Sequence, residues 1–325
     1  MTLTGEETGK GTGEEKLDGG TAGGAAGGTA GGARTRSLPF RGPLAWAPLA
    51  SALLAHAVPG LERVTPKPGG GVGVERLLTV GSTVVPLKVH LHPDGVDLEA
   101  PALPQPEEAA LITTVRAWLD LDANPGVVDP FLAGFDVLAP LVRRHPGLRV
   151  PGSTDGFETG IQTVLGQQVS LAAARTFGAR LVAAFGEPGP AGLTAFPSAH
   201  RLAAVPAEEI QAAVKITHAR ARTVRALAAA VAAGLPLQPG ADPGQVRAGL
   251  LAQPGIGPWT ADYLAVRVLG DRDAYPADDL VLKRALGVRT GREAARLSQP
   301  WRPWRSYALF HLWTEAAYAP APSGA

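Results

Sequence analysis

From Pro106 to the C-terminus, apolar residues recur at helical spacing in short runs, and glycine or proline interrupts each of them. Proline lacks the amide that helix and sheet ladders need, and glycine accepts backbone angles that end both. A long coiled coil or a continuous sheet is therefore out of reach. The pattern predicts a bundle of short helices over 107–120, 130–143, 155–167, 170–186, 206–214, 217–233, 243–252, 258–269, 280–286, 291–298 and 302–317. Ser170, Thr217, Asp242 and Asp279 precede or open four of these runs as N-cap types. Gly270 and Gly287 follow two others as stops.

The first third reads differently. Residues 44–57 look helical, while 74–80, 83–91 and 95–98 alternate like strands, with His92-Pro93-Asp94-Gly95 as a hairpin turn. Pro86 should place its strand at an edge or a bulge. The fold class is thus α+β: a small N-terminal α+β domain with an antiparallel sheet over 37–105, then a mainly all-α body over 106–325. Residues 1–36 contain twelve glycines and form a low-complexity tail expected to be disordered.

Composition excludes several chemistries. There is no cysteine, so disulfides, thiolate zinc sites, Cys-ligated iron–sulfur clusters, Cys nucleophiles and a thiol that accepts alkyl groups are all impossible. The seven histidines show no pair at metal-ligand spacing on an evident helix. Net charge is +1 overall, but residues 145–325 carry 18 Lys and Arg against 13 Asp and Glu. That half can offer a phosphate-tracking face. The most apolar run, 44–58, contains Pro48 and His56 and is too short to span a bilayer. With no secretory core at the N-terminus, the expected location is cytoplasmic.

Pro254-Gly255-Ile256-Gly257 lies between two helical runs. Its glycines let the chain reverse within four residues. The second helix then starts with unpaired amides pointing outward, a ready phosphate site that grips backbone without reading sequence. An ordinary tight helix–helix turn would look the same. Further on, Tyr275-Pro-Ala-Asp-Asp-Leu280 places Asp278 and Asp279 at a helix start. Capping is the commoner job for an Asp there; a carboxylate kept ionised beside the helix N-terminus is the other.

Taken together, these segments resemble the helix-hairpin-helix DNA glycosylases, and among them the bacterial 3-methyladenine DNA glycosylase II family. Further matching stretches are Phe157 to Ser170, Tyr275 to Lys283, Trp301 to Leu309 and His311-Leu-Trp313, and the likeness runs from about Pro39 to Ala317. The resemblance implies a helix-hairpin-helix glycosylase body, with two helical subdomains flanking an active-site cleft. It also implies a hairpin of Pro254, Gly255, Ile256, Gly257 and Thr260 on the DNA backbone, and Asp279 as the catalytic carboxylate.

Trp259, Trp313, Tyr263 and Trp118 would line a base pocket in which aromatic faces attract a cationic flipped base. Gln168, in Leu165-Gly-Gln-Gln-Val-Ser170, would be the minor-groove wedge, where an apolar residue is the more usual choice. Bifunctional members carry a Lys where this chain has Trp259, so strand-nicking lyase activity is not expected. No cofactor is expected beyond a monovalent cation on the backbone carbonyls of Leu251, Gln253 and Ile256. No second acid–base group near Asp279 is evident, as suits bases that already carry positive charge. Lys215, Arg220, Arg222 and Arg225 form a basic run that could be a solvated face or a DNA contact.

The implied activity is hydrolysis of the N-glycosidic bond of alkylated bases, 3-methyladenine and 7-methylguanine, by base flipping in duplex DNA. The implied partner is double-stranded DNA with damaged bases, met by a monomer without a membrane. Two alternatives remain at this point: a glycosylase of the same fold for hypoxanthine, uracil or a formamidopyrimidine, and a non-catalytic damage-binding protein.

Overall fold

Alternating burial along 83–92 and 95–100 marks two strands with one face in a core and one face partly wet. The computed structural model describes residues 32–67 and 70–318. Its first part comprises strand Arg34–Ser37 (β1), helix Trp46–His56 (α1), and strands Glu62–Pro66 (β2), Val72–Val80 (β3), Thr83–His92 (β4) and Gly95–Ala100 (β5). They form one antiparallel sheet in the order β1-β5-β4-β3-β2. Two-residue turns join β3 to β4, with Val80 opposite Thr83, and β4 to β5, with His92 opposite Gly95.

Pro86 corrects an expectation. Its strand is central rather than at an edge. The hairpin registers show why this is tolerated: residues 83, 85 and 87 bond to β3, so position 86 faces the β5 side. There β5 ends at Ala100, one residue beyond the register's last pair, Lys88 with Glu99. The missing donor falls where nothing would receive it.

The tail ends earlier than 36. Arg34 to Ser37 pair with Ala100 to Asp97 and cover the free edge of β5. All four side chains are exposed, so no apolar pattern marks the strand. The rest of the predicted tail, residues 1–31, lies outside the described residues.

Helix Gln105–Trp118 (α2) packs Leu111, Val115 and Trp118 into the core of this sheet, together with Leu49 and Leu53 of α1. The boundary placed at 105 therefore separates elements that share one core. The body continues with Pro125–Leu132 (α3), Ala139–Arg144 (α4), Gly156–Gly166 (α5), Leu171–Phe185 (α6), Ala199–Ala204 (α7) and Ala207–Val214 (α8). It ends with His218–Ala232 (α9), Pro243–Leu251 (α10), Pro258–Arg267 (α11), Leu280–Ala285 (α12), Gly291–Leu297 (α13) and Arg305–Trp313 (α14).

The helix expected over 130–143 is two helices, because Gly134 interrupts it and Pro140 restarts it in the first turn of α4. The one expected over 302–317 starts only at Arg305, after Pro303, and its last turn, Thr314–Tyr318, widens to π geometry. Two short strands, Glu187–Pro188 (β6) and Thr194–Ala195 (β7), pair within the body, so it is not wholly helical.

Two apolar clusters hold the helices. One joins α5 to α11 through residues such as Ile161, Leu181, Ile210, Leu227 and Leu264. The other joins α3 and α4 to α12–α14 through Leu132, Val142, Leu282, Leu309 and Phe310. Tyr263 packs against both. Among the described residues no helix is long and apolar enough to cross a membrane, and no His, Asp or Glu cluster could hold a metal.

Candidate active site

The hairpin between α10 and α11 is built around Gly255. Its φ is +79°, and a Cβ at this position would collide with the Thr223 hydroxyl of α9, so backbone angle and packing both demand glycine. Ile256 buries its side chain in the α5–α11 core and anchors the turn. Gly257 differs: its φ is −106° and a Cβ there would meet nothing within 4 Å. The protein itself has no need of glycine at that point. The side of the turn beside Gly257 is open, and α11 starts immediately after with Pro258 and no side-chain cap. Its first-turn amides stay available. Pro254 and Gly255 are exposed, whereas Thr260 is buried.

The carbonyls of Leu251, Gln253 and Ile256 lie on the same hairpin. Among the described residues those of Leu251 and Ile256 accept no hydrogen bond, and that of Gln253 takes the Ile256 N–H at 3.2 Å. Neutral oxygens with free lone pairs suit a monovalent cation.

Asp279 caps α12, accepting the Leu282 N–H through Oδ1 at 2.8 Å. The same oxygen accepts Trp313 Nε1–H at 3.0 Å, and Oδ2 accepts Trp259 Nε1–H at 3.1 Å. Three N–H donors thus converge on a side chain that is only 9% exposed. Asp278 points to solvent with Lys283 at 3.8 Å, so of the pair it is Asp279 that caps.

The indoles on Asp279 belong to a continuous aromatic wall. Trp259 stacks on Tyr263 with centroids 5.4 Å apart and planes at 21°. Tyr263 meets Trp313 at 5.9 Å, and Phe310 backs Trp313 edge-on at 5.1 Å. Arg267 donates to the Tyr263 hydroxyl at 2.8 Å and lies over its ring. Wall and carboxylate line a cavity of about 360 Å³. Trp118 lines it too, behind the Arg76 guanidinium, which sits 5.7 Å from its ring centre.

Other lining residues escaped the sequence reading, among them His56, Arg76, Glu158 and Tyr318. His56 Nε2 and the Tyr318 hydroxyl are 3.0 Å apart. Burial, helped by Arg267 and Arg175, pushes the His56 pKa down to about 3, so the ring is neutral and does not repel a cation. A single ionisable residue within the apolar run 44–58 was the only available signal. Arg76 is buried between Glu62 Oε1 at 2.6 Å and Glu158 Oε2 at 2.7 Å. Burial outweighs Arg76 and lifts the Glu158 pKa to about 7. Glu62 and Glu158 line the same cavity as Asp279, carboxyls that the expectation of no second acid–base group near Asp279 left out. Glu158 lies 121 positions before Asp279 in the chain, so nothing local in the sequence links them.

Gln168 is exposed with φ +54°, beside the cavity-lining Gly166 and Val169. Of the basic run, Lys215, Arg222 and Arg225 are exposed, whereas Arg220 is half-buried against Gln167.

A hairpin with free first-turn amides beside an aromatic, carboxylate-centred cavity is the arrangement of a helix-hairpin-helix protein. Comparison with known proteins agrees. Residues 35–155 match the AlkA N-terminal domain, and residues 161–293 match the HhH-GPD superfamily base excision DNA repair protein. A Mycobacterium tuberculosis protein named "Probable bifunctional transcriptional activator/DNA repair enzyme AlkA" is 40% identical over 85% of this chain, which spans only 56% of that relative. Escherichia coli DNA-3-methyladenine glycosylase 2 is 32% identical over 87% of the chain and 98% of the relative. The solved 3-methyladenine DNA-glycosylase of Archaeoglobus fulgidus shares the fold, with TM-score 0.74 at 18% identity, covering 87% and 98% of the two chains. The chain belongs to the HhH-GPD superfamily of base excision DNA repair proteins and carries the AlkA N-terminal domain.

Proposed function

We propose that the protein is a monofunctional DNA glycosylase that flips alkylated bases out of duplex DNA and hydrolyses their N-glycosidic bond. The observation that carries this reading is Asp279, held by three N–H donors at the edge of the Trp259–Tyr263–Trp313 wall. The name of the E. coli relative supports the substrate class.

The flipped base stacks on the wall, where ring faces favour a purine made cationic by alkylation at a ring nitrogen. As the C1′–N bond lengthens, positive charge grows on the sugar, and the Asp279 carboxylate stabilises it. The leaving base takes the bonding electrons and departs neutral. Water adds to C1′, with Asp279 receiving its proton. A fixed charge of this kind contributes about 3–4 kcal/mol, a few hundred-fold in rate. No lysine lines the cavity among the described residues, so no amine stands ready to trap C1′ as a Schiff base. The hairpin holds a phosphate on the α11 amides, the carbonyls of Leu251, Gln253 and Ile256 would hold a monovalent cation beside it, and Gln168 fills the gap left by the flipped base.

The test is single-turnover release of 3-methyladenine and 7-methylguanine from alkylated duplex DNA by wild type and Asp279→Asn. Release by wild type alone, with unbroken abasic strands, is expected. Equal DNA binding by both without release by either would leave a damage-binding protein instead.

A further inference from the structure

One side chain joins the turn after α5 to the hairpin. The Gln167 amide nitrogen donates to the Gly255 carbonyl at 3.1 Å and to Thr260 Oγ1 at 3.0 Å. On the other side, the Gln167 carbonyl accepts Arg220 Nη2–H at 2.5 Å. Arg220 lies over the Phe177 ring at 5.9 Å, and its helix, α9, also supplies the Thr223 that fills the space beside Gly255. The next residue, Gln168, is exposed and held at φ +54°, a conformation that non-glycine residues keep only when their surroundings impose it. Thr260 is buried and directly follows Trp259, whose indole donates to Asp279.

We propose that Gln167 is a positioning residue that couples the backbone-gripping hairpin to Gln168, so that phosphate capture and insertion of Gln168 into the duplex occur as one event. The idea rests on reading the protein as a base-flipping glycosylase. A primary amide has two donor hydrogens, and here each serves a different hairpin acceptor, so the side chain cannot turn without losing both. The backbone carbonyl of Gln167 is pinned by a charge-assisted bond from a different helix. With both sides of Gln167 held, the left-handed strain falls on Gln168 alone. Without the amide, water can satisfy the Gly255 carbonyl and the hairpin still grips DNA. The turn, however, becomes free to relax to negative φ, and that rotation carries the Gln168 side chain away from its place. Grip and insertion then come apart.

The experiment uses the full chain and a duplex bearing a tetrahydrofuran abasic analogue with 2-aminopurine opposite it. Anisotropy reads grip, and 2-aminopurine fluorescence at saturating protein reads insertion, with no excision chemistry needed. Gln167→Leu should bind within about threefold of wild type, lose more than half of the fluorescence change, and release methylated bases about tenfold or more slowly. Gln167→Ala, which removes the amide without putting an apolar branch in its place, should show the same split, and circular dichroism melting checks that both fold.

If the fluorescence change survives in both variants, the coupling is wrong. It is equally wrong if affinity and insertion fall together and both recover at higher protein concentration, or if wild type gives no change. Should wild type release no methylated base while its insertion signal still depends on Gln167, the glycosylase reading fails and the coupling stands.

Discussion

Asp279 accepts the α12 amide through Oδ1 and the Trp259 indole through Oδ2, so the cap leaves its second oxygen to the cavity. Capping and catalysis, alternatives on the sequence, make compatible demands on one group. Asparagine caps as well as aspartate but brings an amide toward an indole that is itself a donor. Asp279→Asn should therefore melt within a few degrees of wild type while losing a few hundred-fold in single-turnover base release; a large fall in melting temperature with the rate intact would undo the assignment. His311 makes the opposite case, a polar group with no polar partner among the described residues. It is fully buried, both ring nitrogens lack a hydrogen bond, and burial pushes its pKa down to about 4, with Glu315 too weak to restore it. A depressed histidine pKa means the unfolded chain binds more protons between about pH 4 and 6.5, so this residue's contribution to stability is lost as pH falls through that window. His311→Leu should be more stable by about 1–3 kcal/mol and show a flatter acid limb in melting temperature against pH. Unchanged slopes would mean the ring already has a partner, such as a trapped water.

At the scale of elements, every N-cap residue named on the sequence does cap its helix. Ser170, Thr217, Asp242 and Asp279 each accept the N3 amide, and Gly270 and Gly287 stop their helices at φ +68° and +66°. Helix α7 was missed although Ser198 caps it, because six residues are too few to show a period. Strand β1 was illegible for a different reason: its side chains are exposed, and its partner is β5, more than fifty residues away. The hairpin separates two roles for glycine that sequence alone merges. Gly255→Ala forces a strained φ and a collision with Thr223, so it should destabilise the fold by more than about 1 kcal/mol. Gly257→Ala has room and an ordinary φ, so its melting temperature should match wild type. Its methyl would instead stand where a phosphate approaches the α11 amides, and affinity for duplex DNA should drop several-fold. Equal affinity would show that the DNA backbone does not reach this side of the turn.

Across the whole molecule, the cavity draws its lining from positions as far apart as Ala52 and Tyr318, and this is why the sequence showed the hairpin and carboxylate but not the pocket's far wall. Trp259, Tyr263 and Asp279 fall within one short stretch; Arg76 and Glu158 meet only because the sheet packs against α5. Arg76 is the tie, buried with Glu62 and Glu158 on either side, and it joins β3 to β2 and to the helical body. Removing one member of such a group leaves uncompensated charge, a cost of about 3–5 kcal/mol. Arg76→Met should therefore be strongly destabilised, and the pH dependence identifies the cause. Glu158 already titrates near pH 7 in the presence of the guanidinium, held up by burial and by Glu62 and Asp155. Without Arg76 its pKa rises further. A raised carboxyl pKa contributes stability that is present in acid and lost as pH rises through the folded value. At pH 5 the variant buries a neutral Glu158 beside Glu62, whereas at pH 8 it must bury two like charges or unfold. Urea unfolding at the two pH values should show a clearly larger loss at pH 8. Equal losses would mean that Arg76 stabilises the fold by packing on Trp118 of α2 rather than by charge.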